Sequence, residues 1–202
     1  MPHHYTQPSV NILVSDLRAL TGPAVNDKLI YLDTKLTDID NAGSIYFEYC
    51  YEDFDIVAEI EMITISKMAE AENKAVNLQL HLSPSPVIVH LDRIFLQQIL
   101  FKVLSQLLVS VEDGSVISIH ITDCDGKCMV EGINRSAIVE EQITEDYFKK
   151  YRITNSPQNP VASVEDTLSV YKQITEDMGG ELLYNFTNKS EKSYFRLKFI
   201  LA

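Results

Sequence analysis

Tryptophan is absent from this 202-residue chain, and glycine and proline are scarce at seven residues each. That scarcity excludes collagen-like and low-complexity architectures and leaves packed elements as the default. The three cysteines, Cys50, Cys124 and Cys128, are too few for a disulfide framework and fit free thiols in a reducing compartment. Cys124 and Cys128 flank Asp125-Gly126, a hairpin-turn signal, and no second ligand pair follows, so no metal is expected there. No run of about 18 apolar residues is present, so no membrane span is expected. The start, Met1-Pro2-His3-His4-Tyr5, has neither the charged nor the apolar segment of a secretory signal, which points to a cytoplasmic protein. Basic side chains are the last shortage: 17 Lys and Arg stand against 29 Asp and Glu, a formal net charge of −12. This balance argues against nucleic acid and anionic membranes, both of which require basic patches, and it disfavours phosphate-rich ligands as a global bias. What is present is ordinary globular sequence, 46% hydrophobic and 23% charged, long enough for one full domain with an accessory element.

Residues 1–52 read as a helical hairpin and a probable dimerisation region. Val10, Leu13, Leu17 and Leu20 recur at helical spacing behind Ser9, Gly22-Pro23 interrupts, and Leu29, Leu32, Leu36 and Ile39 form a second stripe. Each stripe needs an apolar partner, and the simplest partner is the other. Tyr46, Phe47, Tyr49, Tyr51 and Phe54 make an aromatic junction that reads as core or interface filler.

Residues 53–202 read as a second domain. Asp55 caps a helix to about Lys74, with Ile56, Ile60, Ile63 and Met68 on one face, and Leu78, Leu80 and Leu82 then alternate as a strand. Val87–His90 is extended, and Asp92 opens a long apolar helix to about Val111. Ile117, Ile119 and Ile121 alternate, the Asp-Gly turn follows, and Cys128, Val130 and Gly132 return. Residues 155–160 read as loop or lid, Glu165–Met178 as a helix ended by Gly179-Gly180, and Leu182–Phe186 with Tyr194–Leu201 as a closing hairpin. The expected class is α+β: a helical hairpin followed by an α/β sandwich, a mixed sheet covered on one face by helices.

Four ordered segments carry a resemblance. Val89–Gln106 resembles the helix bearing the N-box of sensor histidine kinase ATPase domains, where an Asp opens the helix and Gln-φ-Leu-φ-Asn follows. Glu112–Ile119 is similar to the turn and strand after it, Leu168–Leu182 to the helix ending in Gly-Gly, and Tyr194–Leu201 to the last strand. The resemblance implies a histidine-kinase type ATPase fold over roughly residues 53–202, and it also implies a degenerate nucleotide pocket. The two N-box asparagines fall at Lys102 and Gln106, the second being the usual magnesium ligand, and the usual basic residue three positions on falls at Val109. The adenine-reading Asp falls near Asn134, and the following glycines at Ser136 and Ile138. The three glycines of the second phosphate loop align with Ser163, Glu165 and Thr167. Glycine serves there because it lets backbone N–H groups approach phosphate with no Cβ between. Glu165 and Asp166 add like charge instead, and two unit charges about 4 Å apart repel by roughly 1–4 kcal/mol.

In the hairpin, Ser15-Asp16-Leu17-Arg18 resembles the phospho-acceptor box, with Ser15 at the histidine position and Asp16, Leu17 and Arg18 as candidate partner-binding residues. Serine cannot form the phosphoramidate on which relay depends. His81 and His120 sit at outward strand positions and His90 precedes a helix, so all three read as structural or solvent-facing. Lys102, Gln106, Asn134, Glu165 and Asp166 offer no nucleophile–base pair. The resemblance therefore implies a pseudokinase-like signalling protein with no catalytic residue, metal or cofactor, acting by protein–protein contact in a two-component pathway. Its expected partner is a response-regulator receiver domain or a sensor kinase, and it is expected to homodimerise through the N-terminal helices. The chain is also similar to free-standing bacterial histidine phosphotransferases, a phosphorelay alternative that needs an exposed histidine on the hairpin, where this sequence offers none. An active kinase would need both a histidine box and a glycine-rich pocket.

Overall fold

The computed structural model describes residues 3–5, 45–47, 49–83, 85–134, 162–186 and 193–202, with backbone alone at 3–5, 45–47, 124 and 162–167. In chain order the elements are β1 (His3–Tyr5), β2 (Ile45–Phe47), β3 (Tyr51–Asp55), α1 (Ile56–Asn73), β4 (Asn77–His81), β5 (Ile88–Asp92), α2 (Arg93–Ser110), β6 (Val116–Cys124), β7 (Lys127–Asn134), α3 (Ala162–Asp177), β8 (Glu181–Asn185) and β9 (Tyr194–Ile200). β1 and β2 pair antiparallel. The helices expected before Cys50 and the loop expected at 155–160 lie outside the described residues.

Five strands form one mixed sheet in the order β4-β6-β7-β9-β8. Only β4 and β6 run parallel, joined by the crossover through β5 and α2. The β6–β7 turn is Asp125-Gly126, with φ of 52° and 70°, the two positive values that match a tight turn to strand twist. The register places Ile117, Ile119, Ile121, Val130, Phe195, Leu197 and Phe199 on one face. All are buried, in a cluster with Ile60, Phe95, Ile99, Val103, Tyr171 and Ile174 of the helices. Gly132 stands opposite Phe195, and a Cβ there would collide with that ring. Helices over one face of a mixed sheet are therefore what the alternating and helical stripes produce.

Three details depart from the sequence reading. Tyr51–Asp55 is a strand, pairing antiparallel with β5, rather than an aromatic junction; Phe54 is buried and Tyr51 exposed, as period-two alternation requires. Met68 does not join the buried face of α1: it is 48% exposed, and Lys67 is buried in its place. Lys67 lays its stem inward with Nζ 3.7 Å from the Phe101 ring centroid, so a lysine does apolar packing. Finally, α3 begins at Ala162, three residues before the expected Glu165.

Candidate functional site

α2 carries Lys102 and Gln106 one turn apart, both half-buried. Val109, a further turn along, is 58% exposed. Asn134 closes β7 on the core-facing side of the sheet, buried, its N–H donating to the Ser193 carbonyl at 3.0 Å. α2 packs against both β7 and α3, so the helix holding Lys102 and Gln106, the strand holding Asn134 and the helix holding Ser163, Glu165 and Thr167 adjoin. Ser136, Ser15, Asp16, Leu17 and Arg18 lie outside the described residues.

The positions matched to the second phosphate loop are not in a loop. Ser163, Glu165 and Thr167 belong to α3, whose helical backbone runs unbroken from Ala162 to Asp177. The physical reason is local: residues 162–167 contain neither glycine nor proline, so nothing stops the helix from extending toward Pro160. At its other end, Gly179 with φ of 78° and the bonds from Gly179 N–H to the Glu176 carbonyl and from Gly180 N–H to the Thr175 carbonyl form a left-handed cap, as the Gly-Gly pair predicted.

The nucleotide of this fold family can be tested against these residues. The first turn of α3, residues 162–165, does leave N–H groups without helical partners, but Ser163, Glu165 and Thr167 each carry a Cβ where a phosphate cradle uses glycine, and Glu165 and Asp166 add carboxylates there. A magnesium position needs oxygen ligands, and Lys102 places an ammonium one turn from Gln106. The residues present do not fit the group. Among the described residues, no cluster of three or more His, Cys, Asp or Glu could hold a metal, and no helix is long and apolar enough to cross a membrane.

One constellation was missed by sequence reasoning. On the outer side of the β3–β5 ribbon, His90 Nδ1 lies 2.6 Å from Asp53 Oδ1, and the Tyr51 ring stacks on the imidazole at 5.6 Å. The His90 and Asp53 side chains are 58% and 68% exposed. Burial and the negative Asp92 and Asp177 raise the Tyr51 hydroxyl pKa. His90 and Asp53 are 37 residues apart and meet only because the strand register pairs them, so no local spacing could reveal the contact. His81 and His120 stack at 4.3 Å across β4 and β6, outward as expected.

No protein-family model matches the chain, and no curated protein matches it in sequence. Solved structures do match in fold. The catalytic domain of the histidine kinase ThkA is 18% identical with a TM-score of 0.56, covering 75% of this chain and 97% of that one. Acinetobacter baumannii histidine kinase AdeS is 17% identical with a TM-score of 0.54, covering 96% and 95%. ThkA solved in complex with the response regulator TrrA is 16% identical with a TM-score of 0.53, covering 95% of this chain and 56% of that one. Residues matched at these levels share an architecture, and this chain has the ATPase-type fold of histidine kinase catalytic domains.

Proposed function

We propose that this chain is a non-catalytic, histidine-kinase-like signalling protein that works in the cytoplasm by protein–protein contact within a two-component pathway, without ATP. The observation that carries this reading is the chemistry at the head of α3, where Ser163, Glu165 and Thr167 put side chains in place of glycine and Glu165-Asp166 set carboxylates where phosphate would lie. Lys102, Gln106 and Asn134 add to it by replacing the metal and adenine contacts that the resemblance implies. A receiver domain is the favoured partner class, since a kinase of this fold has been solved with a response regulator; dimerisation is assigned to the helices of residues 1–52. The test is thermal unfolding with and without millimolar ATP and magnesium. An unchanged Tm is expected, because a ligand that does not bind the folded state cannot stabilise it; a saturable rise of several degrees at micromolar nucleotide would overturn the reading.

A second reading, a histidine phosphotransferase, is favoured by the His90–Asp53 pair. With Nδ1–H donating to Asp53, the ring is held as the tautomer whose Nε2 carries the nucleophilic lone pair. Against it, the Asp53 carboxylate stands against the ring itself and opposes an incoming phosphoryl group by roughly 1 kcal/mol or more. It ranks second for that reason. Phosphorylated receiver domain should leave the wild-type chain unlabelled, whereas acid-labile labelling lost in His90→Gln would promote the phosphotransferase.

A further inference from the structure

α1 is apolar on two opposite faces. Its inward face, Ile56, Ile60, Ile63 and Ala71, is buried against the core. Its outward face carries Ala58, Met62, Ile65 and Ala69, all exposed, at successive spacings of four, three and four residues. That spacing matches the seam of a two-helix contact, and among the described residues no helix covers it. Met62 is 50% and Ile65 58% exposed, with Met68 at 48% beside them. Large apolar side chains aligned on one stripe, rather than scattered, mark a contact surface.

The charge around the stripe says what fits. Glu61 and Glu72 are exposed on α1 and Glu70 is half-buried. The nearby cations are withdrawn: Lys67 is buried over Phe101, and Lys74 Nζ donates to the Leu108 and Val111 carbonyls at 2.6 and 3.1 Å. Lys67 Nζ also pairs with Glu70 at 2.9 Å, so among the described residues the charge that α1 leaves at the rim of the seam is that of Glu61 and Glu72. A second copy of this chain would set one acidic rim against another, and an anionic bilayer would be repelled. We infer that the outward face of α1 docks an amphipathic helix of a partner protein whose apolar seam is flanked by Lys or Arg. Two methionines suit the surface to adaptable packing, since their unbranched thioethers re-pack at little cost. The stripe from Ala58 to Ala69 spans about 16 Å of helix, so the contact belongs to the small, transient class, with micromolar affinity. It stands on α1 alone and does not rest on the loss of nucleotide binding.

The test uses the full chain and two fluorescein-labelled synthetic helical peptides with the same leucine seam, one flanked by lysines and one by glutamates. Anisotropy titration is expected to give saturable one-to-one binding of the Lys-flanked peptide at micromolar Kd. Ile65→Asp should weaken it about tenfold or more, while Ile200→Asp, a distant exposed apolar position, should leave it unchanged. The double variant Glu61→Lys with Glu72→Lys alters only exposed charges and should reverse the preference toward the Glu-flanked peptide. Equal binding of both peptides, a preference that does not reverse, or an Ile65-dependent dimer of the chain itself in sedimentation velocity would each overturn the proposal. Nucleotide binding measured by thermal shift would sink the non-catalytic reading and leave this one standing.

Discussion

Arg196 holds its Nε 2.6 Å from Glu131 Oε1 at register-paired positions of β9 and β7, and both side chains are nearly fully buried. Burial pushes the Glu131 carboxyl pKa up, against the opposing pull of Arg196. Such a pair adds little net stability when intact but is costly to break, because the survivor stays desolvated. Arg196→Met should therefore cost about 3–5 kcal/mol at neutral pH in urea unfolding. The sign with pH follows from the raised carboxyl: the folded variant prefers the protonated acid, so stability is fully present below the ordinary carboxylate range and is lost as pH rises through the raised pKa. The deficit should then shrink toward acid pH, and Glu131→Leu added to Arg196→Met should recover most of it. A deficit that grows on acidification would refute the account. Elsewhere, single residues behave as their surroundings dictate: burial and the adjacent Asp123 push the Cys128 thiol up to about 12, so it packs as an apolar group, while Cys50 is exposed.

Two helices are launched by one device. Asp55 Oδ1 accepts from the Val57 N–H of α1 and from the distant Val87 N–H, at 3.1 and 3.0 Å. Asp92 caps α2 through the Ile94 and Phe95 N–H groups, both at 3.1 Å, and also accepts from the Cys50 N–H at 2.9 Å. Each carboxylate ends a strand, starts a helix and ties in a remote segment. Asp92→Ala leaves all three donors without the carboxylate in a site only 1% exposed, so it should cost about 2 kcal/mol or more, the top of the N-cap range. Asp92→Asn, which keeps an acceptor, should cost clearly less by the same denaturant midpoint. Both caps were legible in the sequence because Asp stood directly before an apolar helical run. So were β6 and β7, whose Ile117, Ile119 and Ile121 alternation and Asp-Gly turn are local signals. The inward turn of Lys67 was not, since it depends on a Phe101 ring from another helix. Glu59 was equally hidden: buried on α1, it accepts from Arg93 Nε and Nη2 and from Gln97 Nε2, all on α2. The candidate pocket was read by matching loop positions; the helix was expected from Glu165, and its three earlier residues, 162–164, follow from the lack of any glycine or proline to stop it.

Across the whole molecule the sequence carries 12 more acidic than basic charges, and their mutual repulsion acts against the folded state. A compact chain of this length has a radius of gyration of about 17 Å. At 0.01 M salt the Debye length is about 30 Å, so the excess carboxylates repel one another through the entire protein; at 0.1 M it is about 10 Å and only neighbours interact. Attractive pairs respond differently. Lys172 and Glu176, 3.9 Å apart and about half exposed, contribute little at any salt concentration. Arg196–Glu131 is buried, and Arg93–Glu59 has its carboxylate buried, so salt hardly reaches either. Screening therefore removes more repulsion than attraction. If it relieves on the order of 1 kcal/mol, Tm should rise by about 2–4 °C between 0.01 and 0.3 M sodium chloride. Circular dichroism melts at the two concentrations decide the point. A lower Tm in high salt would mean that surface ion pairs, rather than the acidic excess, dominate the electrostatics of this fold.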